Sequence, residues 1–201
     1  MESRLMFHKI YGSLILVLIF TGTSGAVTLR GKPLTLMGER VQLGQTLPTV
    51  RLPDLGLNMV DLQSFKGKVT ILSVVPSLDT PTCDKQTHIL SEENKGLEQT
   101  ANLITISRDL PFAQKRFAKE ANIHNILFLS DYRDAEFGRS TGLLIEESRL
   151  LARAIIVLDR DGVIRYLEVV PDLARLPEME KAFHSAWGLI NNQPTAGGNE
   201  Q

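Results

Sequence analysis

Hydrophobic and polar positions along the chain fall into short apolar runs separated by amphipathic stretches. Val69–Pro76 (VTILSVVP) and Asn102–Ser107 (NLITIS) are rich in β-branched and apolar residues without alternation, the pattern of strands covered on both faces. ILFLSD, from Ile126, predicts a third strand, and LLARAIIVLDRDGVIRYLEVV predicts two more joined by Asp159-Arg160-Asp161-Gly162, a hairpin signal. Between these runs the period changes. Leu110–Ala121 opens with Pro111 and sets Phe112, Ala113, Phe117 and Ala121 at helical spacing. Pro81–Leu97 has no glycine before Gly96, which predicts a helix ending there. DAEFGRSTG, from Asp134, reads as a short helix or turn, and Pro177–Ile190 as a closing amphipathic helix. Near the start, Val27–Gly31 and Pro33–Gly38 predict a β-hairpin turning at Gly31-Lys32, and the stretch to Val60 reads as loop with short strand pieces. Strands alternating with helices and then a hairpin and helix predict an α/β fold, with a central mixed β-sheet flanked by helices in the thioredoxin-like layout.

The first residues depart from this pattern. Arg4 and Lys9 precede the apolar run Ile10–Phe20, and Ser24 and Ala26 follow in a small-residue stretch. That order is the pattern of a secretory signal peptide, with cleavage expected after Ala26; an uncleaved N-terminal anchor is the rival, although the run is short of the ~20 residues a membrane span needs. The expected organisation is therefore a signal over 1–26, one domain over 27–192 and a flexible tail over 193–201, with the protein exported to the periplasm or cell envelope. A charged fraction of 22% with 22 Lys+Arg against 23 Asp+Glu fits an ordinary soluble globule and offers no electrostatic footprint for nucleic acid.

An exported chain normally uses cysteines in pairs, and this one has a single cysteine, Cys83. Either the thiol is buried and inert, or it is kept because it reacts. Its setting, behind Thr80-Pro81-Thr82 at a predicted helix start, favours a reactive thiol. With Thr80 as N-cap, the amides of Thr82 and Cys83 are expected to be free to face an anion. Bringing a thiol from its ordinary value of about 8.5 to about 6 takes roughly 3.4 kcal/mol. A helix terminus supplies about 0.3–1 kcal/mol and at best about 2, so a cation is needed as well. Asp79 and Asp84 act in the wrong direction. Arg153, alone at the head of an apolar strand, is the candidate; an isolated charge there is either on a solvated strand end or committed to a partner.

Other chemistry finds little support. His8 lies in the leader, His88 reads as a surface residue, and His124 and His184 have no second ligand at metal spacing. There is no C-x-x-C, phosphate loop or G-x-S-x-G, and DRDG lacks the later ligands of a calcium loop.

SVVPSLDTPTCDKQT, together with TISRDLPFAQKRF, LSDYR, GLLI and RLLARAIIVLD, strongly resembles the thiol peroxidases of the peroxiredoxin family, over roughly Val27–Ile190. The resemblance implies that Cys83 is the peroxidatic nucleophile and that Thr80 and the amides of Thr82 and Cys83 hold the peroxide. It further implies that Arg153 stabilises thiolate and leaving oxygen, and that Pro76 shields the sulfur from water. It implies no metal or organic cofactor, a hydroperoxide substrate and a homodimer. One position departs from the family: the resolving cysteine after AQKRF is Ala118 here. An intramolecular disulfide step is then impossible, and an external thiol is the expected reductant, whether thioredoxin-like, glutaredoxin-like or small. The rival reading is a non-catalytic redoxin-fold binding or peroxide-sensing domain.

Overall fold

The computed structural model describes residues 26–192; the expected signal over 1–26, save its last residue, and the expected tail over 193–201 lie outside the described residues. A five-stranded mixed sheet forms the centre. Its strands are β6 (Thr70–Val74), β7 (Asn102–Ser107), β8 (Leu127–Ser130), β10 (Ala154–Leu158) and β11 (Ile164–Val169), in the order β11-β10-β6-β7-β8. β6, β7 and β8 run parallel, whereas β10 is antiparallel to both β6 and β11. The non-alternating apolar runs of β6 and β10 are explained by cover on both faces, since every residue of each is buried.

On one face Ile71, Leu103, Ile155 and Val157 pack against the helices α1 (Pro81–Glu92), α2 (Pro111–Glu120) and α4 (Met179–Asn191) through Leu90, Ala118, Ala182 and Phe183. On the other, Leu72, Val74, Ile104 and Ile156 meet Phe137 of α3 (Glu136–Thr141) and the early residues Val41, Val50 and Leu52. Six short strands stand outside the central sheet. β1 (Thr28–Leu29) pairs with β2 (Lys32–Pro33), β4 (Arg51–Pro53) with β5 (Met59–Asp61), and β3 (Leu36–Met37) with β9 (Leu144–Ile145).

Two expectations need correction. The N-terminal hairpin is real, but its turn is Arg30-Gly31, with φ of 51° and 81°, and not Gly31-Lys32. Two consecutive positive φ values match the twist of a two-residue hairpin loop. Its predicted second strand also divides, because Leu36–Met37 leaves to pair with β9. Helix α1, in turn, stops at Glu92 instead of running to Leu97. Asn94 accounts for this: its amide donates to the carbonyls of Leu90 (3.0 Å) and Ser91 (2.8 Å), and its carbonyl accepts from Gly96 N–H (3.0 Å). Those side-chain bonds replace the next helical turn.

α3 is held at both ends. The buried Asp131 carboxylate accepts from the N–H groups of Phe137 and Gly138, each at 3.0 Å; burial nevertheless raises its carboxyl above the usual range. Gly142 closes the helix at φ 67°, where a Cβ would stand 2.5 Å from the Arg40 nitrogen. Gly142→Ala is therefore expected to cost about 2 kcal/mol or more, from left-handed strain and overlap with backbone. Urea unfolding checks this, and an unchanged midpoint would contradict the packing described.

Candidate active site

Sheet topology brings the site residues to one edge. β6 ends at Val74, and the chain passes through Val75–Thr80 into α1, whose first turn carries Cys83. β10 runs the opposite way, with Ala154 paired to Val74, so the residue before it, Arg153, arrives beside the end of β6. β7 is parallel to β6 and ends at the same edge. Arg153, 70 residues away in the chain, thus meets Cys83 as a consequence of strand direction, whereas Thr80 meets it locally, three residues earlier at the start of the same helix.

Cys83 is fully buried, at 0% exposure. Its Sγ lies 2.9 Å from Thr80 Oγ1 and 3.3 Å from Arg153 Nη2. Arg153 is committed to partners, with 2% exposure. Its Nε and Nη2 donate to the Leu173 carbonyl at 3.0 and 2.9 Å, and Nη1 donates to Gln86 Oε1 at 2.8 Å. Gln86 is itself fixed, donating from Nε2 to Ser73 Oγ at 2.8 Å and to the Ala154 carbonyl at 3.4 Å. The guanidinium is thereby spread over three acceptors, which sets its plane and leaves one nitrogen on the sulfur.

Thr80 is the N-cap residue, with extended φ and ψ of −114° and 142°, and Pro81 opens the helix. Its hydroxyl makes no capping bond. Instead it lies within reach of two acceptors, the Ser77 carbonyl at 3.1 Å and Cys83 Sγ. The expectation of two free amides is half correct. Cys83 N–H donates to the Thr80 carbonyl at 3.0 Å, a bond that closes the first turn, whereas Thr82 N–H has no backbone partner among the described residues. The Thr82 hydroxyl lies 3.5 Å from the Ala174 carbonyl. Pro76 is buried in the segment leading out of β6.

Each of the two carboxylates has a side-chain neighbour: Asp84 lies 3.3 Å from His88 Nε2 and Asp79 lies 3.9 Å from Arg116, all on exposed or half-exposed side chains. His88 also meets Glu92, at 2.7 Å, and His124 bonds Asn122, so neither reaches the sulfur. Ala118 is buried on α2 within the helix-covered face. Gln86 and the Leu173 carbonyl were not singled out by sequence. A polar residue three positions after Cys83 on the same helix was the available signal for Gln86.

Comparison with known proteins places this geometry. The redoxin family model matches residues 42–183. The chain belongs to the redoxin family. Within it, this redoxin groups with thiol peroxidases: that of Staphylococcus saprophyticus is 40% identical over 159 residues, covering 79% of this chain and 96% of the relative. A thiol peroxidase of Streptococcus pneumoniae is 44% identical over 163 residues, covering 81% of this chain and 99% of the relative. Among solved structures, a peroxiredoxin-like protein from Aquifex aeolicus superposes with a TM-score of 0.78 at 32% identity, covering 83% of this redoxin and 98% of that chain. The thioredoxin-like mixed sheet expected from the hydrophobic pattern is the fold observed.

Proposed function

We propose that this redoxin is a thiol peroxidase that reduces hydrogen peroxide and organic hydroperoxides through Cys83, using one cysteine of its own and a thiol from outside. The observation that carries this reading is the sulfur's placement between Thr80 Oγ1 at 2.9 Å and Arg153 Nη2 at 3.3 Å. The Cys83 thiolate attacks the terminal peroxide oxygen. As the S–O bond forms and the O–O bond breaks, the departing RO⁻ takes a proton and leaves as ROH, or as water from hydrogen peroxide. Arg153 stabilises negative charge first on sulfur and then on the departing oxygen, where it costs no reorganisation. Thr80 and the free Thr82 N–H orient the peroxide, and Pro76 helps keep water from the sulfur.

Cys83 is left as sulfenic acid. With alanine at position 118 and no second cysteine in the chain, no internal disulfide forms. One external thiol condenses with the sulfenic acid, releasing water and giving a mixed disulfide; a second releases Cys83 and departs as its own disulfide. Because the sulfur is fully buried, this half of the cycle requires the first turn of α1 to open.

Single-turnover oxidation followed by intact-mass measurement tests the reading. One equivalent of peroxide is expected to add one oxygen to Cys83 much faster than it oxidises free cysteine, and thiol is expected to restore the original mass through a mixed disulfide. A rate matching free cysteine would favour a sensing or binding domain. Export is a separate proposal that rests on residues 1–26. Material from the cell envelope should begin at Val27, and an intact Met1 would favour the anchor. Homodimerisation, proposed from the family, is checked by sedimentation.

A further inference from the structure

Resting on the peroxidase reading, we infer that Asp109 is a positioning residue for peroxide attack, acting on Cys83 through Ser77 and Thr80. Asp109 follows β7, whose end lies beside the end of β6, and its carboxylate spans the gap to the segment that leads into α1. Oδ1 accepts from Ser77 Oγ at 2.7 Å, and Oδ2 accepts from Leu78 N–H at 2.8 Å and from Ser107 Oγ at 2.7 Å. The carboxylate is anchored from behind. Ser107 Oγ also accepts from the fully buried Gln114, at 3.0 Å, and Ser130 Oγ donates to the Asp109 carbonyl.

The latch matters because of where Ser77 points. Its carbonyl accepts from the Thr80 N–H at 3.2 Å and from the Thr80 hydroxyl at 3.1 Å. A hydroxyl has one proton. When that proton lies on the Ser77 carbonyl, the lone pairs of Oγ1 are turned toward the sulfur, where they accept from the O–H of an incoming peroxide. Without the latch, Ser77 and Leu78 lose the bonds that hold them to β7, and the Thr80 hydroxyl loses its fixed acceptor. Arg153 is held by Leu173 and Gln86, with no member in common with this chain of bonds. The two supports of the sulfur are therefore separable, and Asp109 serves only one of them.

Stopped-flow measurement of Cys83 oxidation in wild type, Asp109→Ala, Thr80→Val, Arg153→Lys and the corresponding doubles tests this. Asp109→Ala is expected to slow oxidation about 10- to 100-fold, and Asp109→Ala with Thr80→Val to be no slower than the poorer single variant within about threefold, the mark of two groups acting as one unit. Combined with Arg153→Lys, the same substitution is expected to multiply the losses. A role limited to stability would not couple to Thr80 while adding to Arg153. Ser77→Ala removes one bond of the latch and serves where Asp109→Ala does not fold; it should slow oxidation about 3- to 10-fold and couple to Thr80 in the same way. An unchanged rate in Asp109→Ala, or losses that multiply with Thr80→Val, overturns the assignment while leaving the peroxidase reading intact. A wild-type protein oxidised no faster than free cysteine overturns both.

Discussion

Cys83→Ser is expected to abolish peroxide reduction, a loss of at least about 1,000-fold, because the nucleophile has no substitute. The chain holds a single cysteine, so no neighbouring thiol can take over at reduced rate. The variant should remain folded. Serine is smaller than cysteine by less than a methyl group, and its hydroxyl inherits a donor at Arg153 and a partner at Thr80. Peroxide consumption with an excess of small thiol measures the activity, and thermal unfolding shows that the fold persists. Residual consumption within about tenfold of wild type would move the chemistry away from Cys83.

Arg153→Met is expected to slow oxidation of Cys83 by about 100- to 1,000-fold, corresponding to roughly 3–4 kcal/mol of charge stabilisation in a buried site. The same change should also destabilise the fold. The guanidinium satisfies the Leu173 carbonyl and Gln86 Oε1, and a buried acceptor left without a donor costs about 1–3 kcal/mol. Arg153→Lys separates the two effects. An ammonium keeps the charge but cannot serve Leu173, Gln86 and Cys83 in one plane, so intermediate activity is expected. Single-turnover rates and urea unfolding on both variants give the comparison. Wild-type rates in Arg153→Met would mean that the charge opposite the sulfur plays no part in the attack.

Much of this architecture was readable in advance, for identifiable reasons. β6, β7 and β10 are buried on both faces, and such strands leave continuous β-branched runs that resemble nothing on the surface. Cys83, Thr80 and Pro81 were legible together because helix starts have a local grammar. Arg153 was readable as an oddity at the head of an apolar strand, although its meeting with Cys83 depends on β10 running antiparallel to β6. What stayed hidden was fixed by distant parts of the chain. Gln86 reads as a solvated polar residue until β6 and β10 are seen to pass beneath α1, and the Leu173 carbonyl, being backbone, has no signature in its side chain. Gly96 marks a helix end by its residue type alone, whereas the side-chain bonds of Asn94, which end α1 earlier, depend on the folded geometry.

Because the supports of the sulfur come from positions as far apart as 77, 109, 153 and 173, none of them surrounds it in an extended chain. Enhanced thiol chemistry is then acquired only once these distant segments have come together. A newly made polypeptide would carry an unremarkable cysteine, safe from premature oxidation, and the onset of rapid peroxide consumption would serve as a clock for maturation.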